Sequence, residues 1–499
     1  MGIAMHFPSA LIFIPLLSSV IMTLLVKKPD VARIVTLIVH AILIAISVAL
    51  AIAVLNYDGG YFIYQMGSLP GPFGNEIRIG ALEAILAAVF TSVMFLIILA
   101  TKKDVDKDIS EHRRTLYLLM LTLISASLLA LTFTNDIFTA FVFIEVTTIA
   151  ACTIVAIKEN RATLKATVKY LFLSIVGSGL FLMAVSVLFS LTGQLEMSSI
   201  NGAISYLVES GDYDFPLIVT LLLFVVGLAI KGAVFPFHTW LPDAHGSATT
   251  PSSAVLSALV LKGYILIVLK IIFRMYGIDA ISEMGVFPVM FTLGIIGMIA
   301  GSVMAVFQKN IKRLVAYSSV AQIGYIYMGM GLASDAGFVV SSYHIIVHAA
   351  TKAMLFVAAG ALISTAGTYN LDEMRGVARK NKLAGIGFVV GALSMVGIPL
   401  FAGFISKFYF AGAAAQADTG IMILVFAVLG ISAFLNGLYY FTAVVKLYSK
   451  EKEGQEFGPS KMAMSAKVAM VCFIAANIAL GVLFGPIMRA LEVGFGVLS

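Results

Sequence analysis

The sequence predicts an all-α polytopic membrane protein of 14 transmembrane helices. Three observations carry that prediction: the composition, the length of the apolar runs and the placing of the basic residues. Of 499 residues, 60% are hydrophobic and 12% charged, with a mean hydropathy of +1.03. A soluble chain of that length does not need so much apolar surface to fill its core.

A bilayer core of about 30 Å takes about 20 apolar residues per helix. Such runs fall at 8–26, 31–55, 79–101, 116–134, 136–157, 168–191 and 215–239, then at 250–275, 285–307, 314–333, 337–365, 383–410, 420–448 and 465–490. Basic residues collect on the cytoplasmic side of a membrane protein. In this division 24 Lys and Arg, Lys452 and Lys461 among them, fall in one set of alternate connections, against three (Arg78, Arg274 and Arg489) on the other side. Both termini are therefore expected on the outer side of an inner, cytoplasmic membrane. The first run has no basic stretch before it and "KKPD" after it, so it reads as a retained helix rather than a cleaved signal. The connections 56–78, 192–214 and 449–464 are too short for a soluble domain, and "GDYDF" at 211–215 reads as a solvated acidic loop. Cys152 and Cys472 both lie inside apolar runs, which excludes a disulfide framework and a cysteine-based metal or iron–sulfur site.

An ionised side chain at mid-bilayer depth costs about 2.5 kcal/mol or more, so such residues face the bundle interior and mark ion pathways. Five lysines lie within spans: Lys231, Lys262, Lys270, Lys352 and Lys407. Lys270, near an outer end, is expected to snorkel to the interface.

Lys231 begins the stretch "KGAVFPFHTWLPDAH", roughly 12 Å from the cytoplasmic end of its span. Its Cβ vector tilts toward the helix N-terminus, away from the nearer surface, which argues against snorkelling. Pro236 removes a backbone donor and frees carbonyls that a bilayer tolerates only beside protein or a water cavity. Trp240 is expected at the interface where the span ends.

Glu145, in "FTAFVFIEVTTIA", needs a partner. A lysine within about 4 Å, at an effective dielectric near 20, offers about 4 kcal/mol of attraction. A Glu145–Lys231 pair makes both charges tolerable, either as a titrating pair or as one that only holds helices together.

Lys262, in the middle of "SSAVLSALVLKGYILIVLK", cannot snorkel and has no carboxylate near it in sequence. Desolvation disfavours its charged form, which makes it the sharpest proton-carrier candidate. His344, His348 and Lys352 fall at i, i+4 and i+8 on one helix face, a strip of titratable nitrogens about 12 Å long. Metal binding and structural hydrogen bonding are the alternatives for the histidines. Lys407 follows a second break, with Gly397, Pro399 and Gly403 inside the 383–410 run. His40 and Glu83 read as packing or interfacial residues.

Two interrupted spans in corresponding positions point to an inverted-repeat transporter. Lys231 and Lys407 are 176 residues apart, and Glu145 and Gln322 are 177 apart. This offset suggests five-helix units at 116–275 and 285–448, preceded by 1–115 and followed by 449–499. No phosphate-binding glycine fingerprint, metal-ligand cluster or activated nucleophile is present, so no catalytic site, cofactor or nucleic-acid partner is expected of this chain.

Four ordered motifs now carry a resemblance: "KGAVFPFHTWLPDAH", "QKNIKRLVAYSSVAQIGYI", "HAATKAMLF" and "GIPLFAGFISKFY", with a glutamate in the fifth span. Over 116–448 the chain resembles the antiporter-like subunits shared by respiratory complex I, Mrp-type cation/proton antiporters and membrane-bound hydrogenases. The resemblance implies fourteen helices, two inverted repeats and discontinuous seventh and twelfth spans. It implies Glu145 and Lys231 as an ion pair, Lys262 as the central relay lysine, His344 and His348 as a bridge between halves, and Lys407 as the terminal lysine. Lysine at 407 is similar to the Mrp D-type subunit and the related hydrogenase subunit. The expected function is movement of H⁺, with or without exchange for Na⁺, alongside other membrane subunits whose redox chemistry or ion gradient drives it. A complex I-type pumping subunit and a stand-alone secondary transporter are the alternatives.

Overall fold

The computed structural model describes residues 4–57, 59–66, 74–211, 213–451, 457–458 and 462–496. Lys452 and Lys461 of the charge count, Asp212 of the acidic loop and both chain termini lie outside the described residues.

In an apolar solvent every backbone N–H and C=O must be satisfied within its own segment, so long apolar runs become helices. Among the described residues twelve helices are long and apolar enough to cross a membrane. Two expected spans are not among the twelve. Ile311–Gly331 is a 21-residue helix with two basic residues in its first turn. The 383–410 run is divided into Lys382–Val396 and Ala402–Ala414. The 465–490 run likewise ends at Val482 and resumes as Phe484–Gly496.

The connections hold more structure than expected. Tyr61–Gln65 pairs antiparallel with Glu76–Gly80, Ile63 opposite Arg78. This hairpin is an exception to the all-α expectation, and it fits the period of two that buries Ile77 and Ile79. Met197–Ser210 is an amphipathic helix whose Ile200, Ile204 and Leu207 are buried. Asp214 of the acidic loop opens the next helix, where a negative charge suits the helix dipole.

The Thr250–Tyr276 helix is buried throughout its apolar window, and Asp335–Ala366 over 94% of its own, whereas Thr419–Tyr448 and Met464–Val482 are a third buried. The first two form the axis of the bundle. They carry Lys262, His344, His348 and Lys352, so these polar groups meet protein rather than lipid.

Candidate ion path

The first break lies directly after Lys231. The Asp214–Lys231 helix ends there, Ala233 takes a φ of 55°, and the chain resumes as a 3₁₀ turn, Phe237–Trp240, and a short helix, Leu241–Ser247. Pro236 falls inside the break. The Lys231 side chain is 1% exposed. Its Nζ donates to Glu145 Oε1 at 3.2 Å and to Thr148 Oγ1 at 2.8 Å, and the same Glu145 oxygen accepts from Ser178. Close helix approach permits this: a Cβ on Gly177 would stand 2.8 Å from the Gly227 carbonyl and 3.2 Å from Lys231 Cγ.

Trp240 is not an interfacial residue. It is buried, its indole N–H donates to Ile230 O at 3.1 Å, and its ring stacks on Tyr170 at 4.1 Å. The Ile230 carbonyl, at the helix end, accepts the Ala233 N–H at 3.3 Å, and the tryptophan ten residues on supplies a second donor. Beyond the break, Asp243 pairs with Lys169 and with Arg313, both at 2.8 Å. Burial pushes the Asp243 carboxyl up, but the two cations outweigh it and hold the group below its ordinary value.

The second break precedes Lys407. Gly397 has a φ of 95° and Leu400 one of 85°, with Pro399 between them. Lys407, in the Ala402–Ala414 piece, reaches back so that Nζ donates to Met395 O at 2.8 Å and Val396 O at 2.6 Å, the free carbonyls of the preceding helix end. Its Nζ lies 5.3 Å from the Tyr325 ring centre. None of the ion pairs among the described residues includes Lys407.

Between the breaks, Lys262 donates to Ser257 O within a π turn, Leu256–Val260. His344 Nδ1 meets Ser406 Oγ at 2.9 Å, which joins the histidine helix to the piece bearing Lys407. The His344 and His348 rings are 6.1 Å apart, and neither nitrogen of His348 has a protein partner. The charges of Lys262 and Lys352 both act on His348. Lys352 turns to Ser318, to Val315 O at 3.1 Å and to the Tyr440 hydroxyl at 3.5 Å, so it is anchored on the Ile311–Gly331 helix. No direct hydrogen bond joins Lys231 to Lys262, or Lys262 to His348, among the described residues. Gln322, the counterpart of Glu145 by sequence offset, is buried with neither amide atom partnered.

Sequence reasoning missed an outer network. Lys270 does not snorkel: it is buried and donates to Leu131 O, Thr132 O and Thr134 O at 2.9, 2.7 and 2.8 Å, the end of the Glu111–Phe133 helix. A neighbouring helix C-terminus, with its free carbonyls, substitutes for the interface. Four residues on, Arg274 pairs with Glu83 at 2.8 Å, both side chains within 1% exposure; Glu83 also accepts from Gly80 N–H at 2.9 Å and so caps its own helix. The i, i+4 spacing of Lys270 and Arg274 was the available signal. His245 was also missed, although it ends the motif that begins at Lys231: it is buried and both ring nitrogens lack a protein partner. His40 joins two helices, with Nδ1 2.8 Å from Thr36 O and Nε2 2.9 Å from Ser125 Oγ. No three His, Cys, Asp or Glu among the described residues are grouped to hold a metal ion.

Residues 134–433 match the family described as NADH:quinone oxidoreductase/Mrp antiporter, TM. The chain is 29% identical over 452 residues to NADH-quinone oxidoreductase subunit N of Desulforudis audaxviator, covering 89% of this chain and 87% of that one. It is 26% identical over 489 residues to the D subunit of the Na(+)/H(+) antiporter of Alkalihalophilus pseudofirmus, covering 96% and 94%. A chain of the membrane-bound sulfane sulfur reductase, an archaeal respiratory membrane complex, superposes with a TM-score of 0.88 at 25% identity over 98% and 97% of the two chains. The family match takes in both helix breaks and every lysine and histidine of the path, and this multi-pass membrane chain belongs to the NADH:quinone oxidoreductase/Mrp antiporter transmembrane family.

Proposed function

We propose that the chain is a D-type, proton-translocating subunit of a multisubunit membrane complex, moving H⁺ alone or against Na⁺. The observation that carries this reading is the Lys231 ammonium, held by Glu145 and Thr148 at a point where its own helix stops. Separating Glu145 from Lys231 removes what stabilises the ammonium, and its proton then moves toward Lys262. His348 and His344 pass charge on to Lys407, with water bridging the buried nitrogens that lack protein partners.

In this reading Ile311–Gly331 and the split pair Lys382–Val396 and Ala402–Ala414 complete fourteen spans. Units 116–275 and 285–448 are inverted repeats, each interrupted once beside a lysine. The face rich in Lys and Arg is cytoplasmic, which puts both termini outside. The Glu145 side chain is 32% exposed on the isolated chain. A carboxylate facing lipid at that depth is costly, which supports a partner membrane subunit covering it.

A second reading, a pumping subunit of a quinone-reducing complex, draws on the relative named NADH-quinone oxidoreductase subunit N. The two readings share the path and differ in what drives it. The test uses inverted membrane vesicles holding the assembled complex: Lys262→Ala abolishes proton transport, while assembly, followed by native gel, is kept. Wild-type transport in an assembled Lys262→Ala complex would remove the central relay. Adding or omitting Na⁺ in the same vesicles decides whether Na⁺ is exchanged.

A further inference from the structure

We propose that Asp104 is a second proton inlet on the basic face, loading Lys262 through the Lys312 region and His245 without passing the Lys231 break. The proposal rests on the proton-transport reading and adds to it a route and a loading group.

Asp104 lies in a short helix, Lys102–Asp108, that follows the third long span on the face rich in basic residues. It lines a cavity of ≈ 40 Å³ together with Lys103, Thr365 and Asn381, enough to hold water. The charged groups that face it are Asp108, Lys312, Lys107 and Lys158. Lys158 is engaged by Asp108 at 2.9 Å, and no ion pair among the described residues includes Asp104. Burial first, and the Asp108 carboxylate second, push the Asp104 carboxyl up to about 6, so it exchanges protons near neutral pH.

Inward of Asp104, Lys312 is buried and donates to Ala248 O at 2.6 Å. Ala248 is the C-cap residue of the Leu241–Ser247 helix, its N–H donating to Ala244 O, three residues beyond His245. The His245 ring stacks on Phe356 of the histidine helix at 5.0 Å. The titratable groups acting on it are Lys312, Lys352 and Lys262, all basic and none acidic. A fully buried imidazole with both nitrogens unpartnered can accept a proton on one and release the other. The Lys312 and Lys352 ammonium groups beside it ensure that it passes the charge on to Lys262 rather than keeping it.

The step balances as a proton relay. The Asp104 carboxyl releases H⁺ to water in the cavity, one His245 nitrogen takes up H⁺, the opposite nitrogen yields its own to the neutral amine of Lys262, and the Asp104 carboxylate is reprotonated from the aqueous side. One proton is moved and no other bond is made or broken.

The test measures proton transport against pH in vesicles holding the assembled complex, with wild type, Asp104→Asn, Asp104→Glu, His245→Gln and Lys262→Ala. The expected result is at least a hundredfold loss of rate in Asp104→Asn and His245→Gln, the lower end of the range of about 10²- to 10⁴-fold for removal of one proton-transfer group. Asp104→Asn should also lose the inflection near pH 6, and Asp104→Glu should restore it. If Asp104→Asn and His245→Gln keep the wild-type rate and profile while Lys262→Ala is inactive, the inlet is overturned and the transport reading stands. If Lys262→Ala is also fully active, the transport reading fails with it. Asp104 is half-buried in a surface helix, so its neutral, isosteric variant decides the matter even if His245→Gln does not assemble.

Discussion

The two helix breaks meet the same problem, a lysine beside freed backbone carbonyls, in opposite ways. At the first, the Ile230 carbonyl is taken by Trp240 and the Ala233 N–H, and the lysine is left to a carboxylate, Glu145. At the second, Lys407 itself takes the carbonyls of Met395 and Val396. A carboxylate can be moved, protonated or covered by a neighbour. Helix-end carbonyls are fixed partial charges that do none of these things. The first half is thus built to change the state of its lysine, and the second to hold its lysine in one place.

Four substitutions sharpen or break that contrast. Glu145→Gln has the largest expected effect. It leaves the buried Lys231 ammonium without its carboxylate, and proton transport in vesicles should fall by about a hundredfold or more. Gly397→Ala comes next: the backbone at +95° disfavours a side chain, and the new Cβ would stand 2.8 Å from Lys407 Cδ. Left-handed strain of about 1–2 kcal/mol and a displaced ammonium should reduce transport by about tenfold. An unchanged rate would mean that the carbonyl grip on Lys407 is dispensable.

Trp240→Phe keeps the stacking on Tyr170 but removes one of the donors to Ile230 O, which retains the Ala233 N–H. It should lower stability by about 0.5–1.5 kcal/mol, read from thermal unfolding of the detergent-solubilised complex, and alter transport less than Glu145→Gln. Asp243→Asn should have the smallest effect, about 1 kcal/mol or less, since its pairs are partly exposed. The Asp243 carboxyl is held below its ordinary value. Its contribution is therefore present above the unfolded pKa of about 3.9 and disappears as pH falls through the lowered native one. Wild type and variant should converge in stability in acid.

The residues that matter were legible wherever a charge interrupts an apolar run, because a bilayer makes such an interruption expensive. Glu145 with Lys231, the isolation of Lys262 and the break before Lys407 all follow from that. What was not legible depends on which neighbouring helix end a side chain reaches. Lys270 looked like a snorkelling lysine because sequence places it near a surface, yet three carbonyls of another helix lie closer than water. Trp240 was misplaced for the same reason: distance to the interface is readable from a sequence, but a partner elsewhere in the fold is not. The interruption of 383–410 by Gly397 and Pro399 was foreseen, whereas the hairpin at Tyr61–Gln65 and Glu76–Gly80 was hidden inside a connection judged only by its length.

The helix that carries Lys262 is wound loosely at two places, Leu256–Val260 and Ile271–Tyr276. A π turn holds one residue more than a regular turn, and each residue rotates the helix beyond it by about 100°. The direction in which Arg274 points is therefore encoded in the number of residues before it as much as in their identity. Deleting one residue from 271–273 would preserve every chemical group of the outer network yet swing Glu83's partner to another side of the bundle. Along its most buried axis this chain should tolerate exchanges of one apolar residue for another far better than a change in length.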